Sequence, residues 1–177
     1  DAFAYLPVQD FGNAFSTFIA QNYGAGRVER IRAGIRSAVM TALTFCVVIS
    51  VLVCAFAGPL MTIFVEPEET GIIAIGVEYL RIEGACYCGI GCLFLLYGLY
   101  RALGRPGMSV VLTVVSLGTR VALAYLLAPI PAIGLPGIWW AIPIGWVLAD
   151  AVGLVFYRLR ERRRLEQLAI EKKTVPV

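Results

Sequence analysis

Four ionisable residues, Asp10, Glu83, Arg120 and Asp150, interrupt or border apolar runs long enough to cross a bilayer. An unpaired charge at such a depth costs about 2.5 to 3.5 kcal/mol on insertion scales. A carboxylate there has two uses: it neutralises a buried cation, or it faces a water-filled cavity, takes up and releases a proton or binds a cation, and changes its helix contacts as it does so. Asp10 lies twelve residues before Asn22, roughly 18 Å from that end of its run and near the middle of a hydrocarbon core about 30 Å thick. Arg120 follows Gly107 by thirteen residues, roughly 20 Å from the corresponding end of its own run. The matching depths make Asp10 the leading proton or cation site and Arg120 its electrostatic partner, but they equally allow an ion pair that only satisfies two buried charges. Glu83 is the second coupling candidate, roughly 26 Å from the Arg101 end of its helix. Asp150 is a secondary candidate, roughly 10 Å from the Tyr157 end, where a hydrogen-bonded or headgroup-reaching carboxylate is the plainer reading. Glu78 and Arg81, three residues apart, form a local surface pair.

The elements that carry these groups follow from composition. The chain has 177 residues, 59% of them hydrophobic and 15% charged, and no histidine. That is more apolar than a soluble domain absorbs, and it leaves no histidine for general base or metal-ligand work. No nucleophile–base motif is visible, so no enzyme and no cofactor or metal is expected. The five cysteines, Cys46, Cys54, Cys86, Cys88 and Cys92, all sit in apolar runs and read as small packing residues. The opening Asp1, with neither methionine nor a basic leader behind it, reads as an excerpt from a longer chain.

Five runs reach spanning length, at about residues 2–22, 34–57, 78–100, 107–128 and 134–157. The fold class expected is therefore an all-α polytopic membrane bundle of about five transmembrane helices, with residues 158–177 as a basic cytoplasmic tail. Gly58 and Pro59 are expected to stop the second run, leaving Leu60 to Val65 as a short interfacial piece, and the Ala128 to Pro131 turn separates the last two. Thirteen of the fifteen lysines and arginines fall after the first, third and fifth runs, which puts those ends in the cytoplasm of a multi-pass plasma-membrane protein. The net charge of +3 thus reflects topology rather than nucleic-acid binding. The basic tail also suits anionic lipid. Gly137, Ala141, Gly145, Ala149 and Gly153 recur every four residues, a smooth stripe for a neighbouring helix, and Pro143 suggests a kink.

Several local motifs resemble one family. Gln21-Asn22-Tyr23-Gly24-Ala25-Gly26 ends a membrane helix ahead of a basic amphipathic segment; Tyr79-Leu80-Arg81-Ile82, Tyr100-Arg101-Ala102-Leu103-Gly104 and Gly137-Ile138-Trp139-Trp140-Ala141-Ile142-Pro143-Ile144 follow in order. Together they resemble the eighth to twelfth helices of the multidrug and toxic compound extrusion (MATE) family. The resemblance implies most of the C-terminal lobe of a twelve-helix, two-lobe antiporter that expels amphipathic or cationic small molecules against protons or sodium, with an N-terminal lobe of the same chain as its missing partner. Ala102, Arg105 and Pro106 depart from the family's loop. Ile90 and Gly91 stand where sodium-coupled members carry an aspartate, which favours protons. A lipid-linked saccharide flippase and a non-transporting scaffold assembled through the glycine stripe remain as alternatives.

Overall fold

The computed structural model describes the backbone of residues 2–130 and 133–174 and the side chains of residues 5–130 and 133–170. Asp1, Pro131, the side chains of Lys172 and Lys173, and residues 175–177 lie outside the described residues. Eight α-helices run in order: α1 (Ala2–Gly24), α2 (Val28–Ala55), α3 (Ala57–Thr62), α4 (Thr70–Ala85), α5 (Tyr87–Ala102), α6 (Pro106–Leu127), α7 (Gly134–Phe156) and α8 (Arg162–Thr174), the last two joined by a π-helical turn over Tyr157–Glu161. The α2, α6 and combined 134–170 helices are each long and apolar enough to cross a membrane, and the bent pair α4–α5 meets the same measure when its two helices are taken together. At 23 residues, α1 has spanning length but falls short of that apolarity because it carries Gln9, Asp10, Asn13, Ser16, Thr17 and Gln21.

Both tight loops at the arginine-rich end are closed by the same backbone device. Gly26 (φ 63°) and Gly104 (φ 71°) take the left-handed conformation, and the amide of the next residue returns to a carbonyl five residues back, Arg27 to Asn22 at 2.8 Å and Arg105 to Tyr100 at 2.8 Å. This is the Schellman stop, and it gives the glycines of those two motifs a backbone reason. Pro106, at the first turn of α6, has no amide proton to waste there.

Three boundaries differ from the sequence expectation. The second run begins at Val28 rather than 34, because the basic amphipathic segment continues into the apolar helix. It ends at Phe56 (φ −102°, ψ 16°), ahead of Gly58 and Pro59, which sit inside α3. Proline is tolerated in a first helical turn, so the break falls before it. The third run is not one helix over 78–100 but two, α4 beginning at Thr70 and α5 ending at Ala102, bent by 51°. Cys86 (φ −109°, ψ 11°) interrupts the helical bonding there, beside buried Glu83 and Gly84.

At the centre lies α5. One side of it packs Leu95, Leu99 and Leu103 against Phe15 and Ile19 of α1, Val28, Ile31, Ala38 and Ala42 of α2, and Leu165 of α8. Its other side sets Leu93, Leu96 and Tyr100 against Leu112 of α6 and Trp146 and Ala149 of α7. Small residues allow the approach: a Cβ on Gly98 would stand 2.5 Å from the Gly12 carbonyl oxygen. The stripe read from the sequence is buried as expected, with Gly145 against Ser116 of α6 and Gly153 against Leu96 and Leu112. Val47, Val51, Val114, Val121, Val147 and Val155 point outward, as lipid-facing helices require.

The basic tail is more than a solvated appendage. Glu161 is 1% exposed and Leu165 2%. Glu161 meets Arg105 of the α5–α6 loop at 3.5 Å and Arg164 at 4.0 Å, while Glu166 reaches Arg32 of α2 at 3.7 Å. The α8 helix therefore closes over the arginine-rich ends of α2 and α5.

Candidate functional site

A cavity of about 240 Å³ opens where α1, α4, α5, α6 and α7 converge, lined by Tyr5, Tyr79, Glu83, Tyr87, Ile90, Phe94, Arg120, Ile142 and Trp146. Helical spacing puts Tyr79, Glu83 and Tyr87 in one line, four residues apart, and the bend at Cys86 turns that line from α4 onto α5. Glu83 is 5% exposed. The Tyr79 hydroxyl hydrogen-bonds its carboxylate, so the acid has a donor and no ion pair among the described residues.

Arg120 enters from α6. Its guanidinium carbon lies 5.4 Å from the centre of the Trp146 ring, and its Nη2 donates weakly, at 3.4 Å, to Ser116 one turn earlier. Its Nε has no hydrogen-bond partner among the described residues. Arg120 is near enough to act electrostatically on Glu83 but forms no ion pair with it. A half-buried arginine held over an indole face, a buried carboxylate with one phenol donor, and walls of tyrosine and phenylalanine make a small amphipathic chamber. Such a chamber suits a proton, a small cation or the aromatic edge of an organic molecule.

The sequence candidates separate accordingly. Glu83 and Arg120 are brought together. Asp10 is not with them: its side chain is exposed on α1 and makes no hydrogen bond or ion pair among the described residues, so the Asp10–Arg120 pair that depth alone permitted does not form. Depth fixes position along a helix and leaves rotation about it open, and Asp10 points elsewhere. It belongs to a polar stripe on α1 with Asn13 and Thr17, all exposed. Asn13 accepts a 2.7 Å hydrogen bond from Arg101 of α5, and Thr113 of α6 pairs with Tyr97 of α5 at 3.2 Å. Asp150, on α7 one turn beyond Trp146, is partly buried with Oδ1 unpartnered among the described residues. The aromatic members Tyr5, Tyr87, Phe94 and Trp146 were missed. The four-residue spacing about Glu83 was a signal for Tyr79 and Tyr87; Trp146 and Phe94 gave none, because an aromatic in an apolar run looks like any other packing residue.

The comparisons with known proteins agree with this architecture. A profile described as MatE matches residues 1–126. A curated relative, the probable multidrug resistance protein YoeA of Bacillus subtilis (strain 168), is 24% identical over 155 residues, which is 87% of this chain and 32% of that protein. An inward-facing multidrug resistance MATE family transporter of the MOP superfamily superposes with a TM-score of 0.82 at 22% identity, over 98% of this chain and 38% of its own. An outward-facing structure of a transporter so described gives 0.80 at 22% identity, over 98% and 37%, and a MATE protein in complex with MaL6 gives 0.82 at 21% identity, over 93% and 36%. The chain thus spans about a third of the length of the curated relative it matches. With the profile covering well over half of its residues and the same helical fold throughout, this chain belongs to the MatE family of membrane proteins.

Proposed function

We propose that the protein containing this chain is a secondary active exporter of drugs or amphipathic organic cations, working by antiport with protons or sodium, and that Glu83 is its coupling carboxylate. The observation that carries the reading is the burial of Glu83 in an aromatic cavity beside Arg120, with a tyrosine donor and no ion pair among the described residues. Such an acid can be neutralised and recharged without first breaking a salt bridge. When it is, the contacts among α4, α6 and α7 change with it, which is the kind of local event that alternating access needs. Ile90, at the position where sodium-coupled members carry an aspartate, lines the same cavity as a hydrocarbon, and this favours protons. Asp10 keeps a second role: a carboxylate on an exposed polar stripe of α1 suits attraction of a cationic substrate on the face that meets the companion lobe. The partners are then the bilayer, the substrate and that lobe, in a plasma membrane with the arginine-rich ends and the C-terminus in the cytoplasm.

The scaffold alternative has lost its basis, since the glycine stripe it needed is occupied by α5 and α6 of the same chain. A flippase handling a diphosphate would need more than the one cationic group on the cavity wall. The test is ethidium accumulation in an efflux-deficient bacterium carrying the full-length parent, its Glu83→Gln variant or an empty vector, with and without sodium. Export by the parent and loss in the variant, in either medium, support a proton-coupled exporter. Full export by a normally expressed Glu83→Gln protein removes Glu83 from the coupling role.

A further inference from the structure

The arginines at the basic end fall into two sets. Arg32, Arg105, Arg162 and Arg164 are engaged by Glu29, Glu161 and Glu166. Arg160 is exposed and makes no ion pair among the described residues; its guanidinium carbon stands 5.9 Å from the centre of the Phe156 ring. There Met108 of α6, Ala151, Val152, Val155 and Phe156 of α7 and Leu159 of the π-helical turn wall an open groove of about 420 Å³, with Arg160 as the charged residue on its wall.

We infer that this groove seats an acyl chain of an anionic phospholipid from the leaflet at the arginine-rich end, with the lipid phosphate against Arg160. The walls are hydrocarbon, and Val152, Val155 and Leu159 are 38%, 55% and 59% exposed, so lipid chains are what they meet in the membrane. A long arginine side chain ordinarily extends toward the headgroups; Phe156 instead holds this guanidinium over the rim of the groove. Nearby carboxylates do not compete: Glu161 is buried between Arg105 and Arg164, and Glu166 is taken by Arg32 and Arg162. Arg158 and Arg163 are exposed on neighbouring turns, unpaired among the described residues, so the field around the groove mouth is positive and selects an anionic headgroup over a zwitterionic one. An apolar cleft, a free cation fixed at its mouth and a lipid-facing surface together specify a phospholipid more closely than any of the three alone.

The test uses the full-length protein purified in detergent and native mass spectrometry with added phosphatidylglycerol or phosphatidylcholine of identical chains. Arg160→Gln removes the headgroup contact, Val155→Trp and Val152→Phe fill the groove from exposed positions, and Arg36→Gln, at an exposed arginine of α2, is the control. Wild type is expected to retain one phosphatidylglycerol that the Arg160 and groove-filling variants hold at least fivefold more weakly, while Arg36→Gln matches wild type and phosphatidylcholine is retained poorly. Equal retention by wild type and Arg160→Gln overturns the site, as does equal retention of the two lipids. Loss in Arg160→Gln but not in either filled variant overturns the groove and leaves a headgroup contact alone. Efficient disulfide formation in membranes between a cysteine placed at 155 and the companion lobe overturns it too, because protein then covers the cleft.

Discussion

The guanidinium of Arg105 lies 3.5 Å from the carboxylate of Glu161, whose side chain is 2% exposed. That contact joins the α5–α6 loop to the π-helical turn after α7, across a part of the chain that the sequence presents as a charged tail. Removing the acid strands two arginines and undocks α8. Glu161→Ala in the full-length protein is expected to cost ~1 kcal/mol, the upper end for ion pairs whose arginines stay about half exposed. It should lower the unfolding midpoint by several degrees and open the bonds after Arg162 and Arg163 to trypsin. Unchanged proteolysis would show that Leu165 and the Glu166–Arg32 contact hold α8 without Glu161.

Close approach of α1 and α5 at Gly12 and Gly98 makes a sharper stability test. A methyl on Gly98 would stand 2.5 Å from the Gly12 carbonyl oxygen, whereas one on Gly118 meets nothing within 4 Å. Gly98→Ala should destabilise by ~1–3 kcal/mol, the usual range for overpacking, and Gly118→Ala should be neutral. Thermal unfolding of the two full-length variants, followed by fluorescence-detected gel filtration, reads the difference.

Arg120 and Trp146 supply a test of the cavity. Lysine keeps the charge but loses the planar guanidinium that lies over the indole, and glutamine loses both. Initial rates of dye export should fall about tenfold for Arg120→Gln, a loss of ~1.4 kcal/mol of transition-state stabilisation, and by an intermediate factor for Arg120→Lys. Wild-type rates in Arg120→Lys would mean that charge alone matters, and equal losses in the two variants would mean that the planar guanidinium does.

Asp10 is tested by accessibility. In a cysteine-free full-length background, Asp10→Cys should react with a membrane-impermeant thiol reagent, since the thiolate that reacts needs water, and Glu83→Cys should react much more slowly because that position is 5% exposed. An inert residue 10 would place that side of α1 in lipid and remove the substrate-attraction role.

Most of the fold was legible in the sequence because spanning length and small-residue spacing are local properties. The runs near 2–22, 107–128 and 134–157 match α1, α6 and α7 to within two residues at each end, and the stripe from Gly137 to Gly153 is buried as read. What the sequence hid depends on distant partners. The break at Cys86 arises where Glu83 and Gly84 are enclosed by other helices, and no proline marks it. Asp10 and Arg120 agreed in depth and yet point apart, since one-dimensional spacing carries no information on how two helices are rotated against each other. Glu83 was singled out for a different reason: an acid needed to complete a spanning run must be accommodated somewhere, and its place here is the wall of a cavity.

The 51° bend at Cys86 gives the third crossing the mechanics of a door on a fixed post. The post is α5, wedged among α1, α2, α6 and α7; the leaf is α4, which leans on α2, α3 and α7 and scarcely touches α5 beyond the joint. Glu83 sits at the hinged edge of the leaf, three residues from the pin. A change of charge there acts with a short lever arm on a whole helix, and the packed centre of the bundle can stay still while the leaf swings.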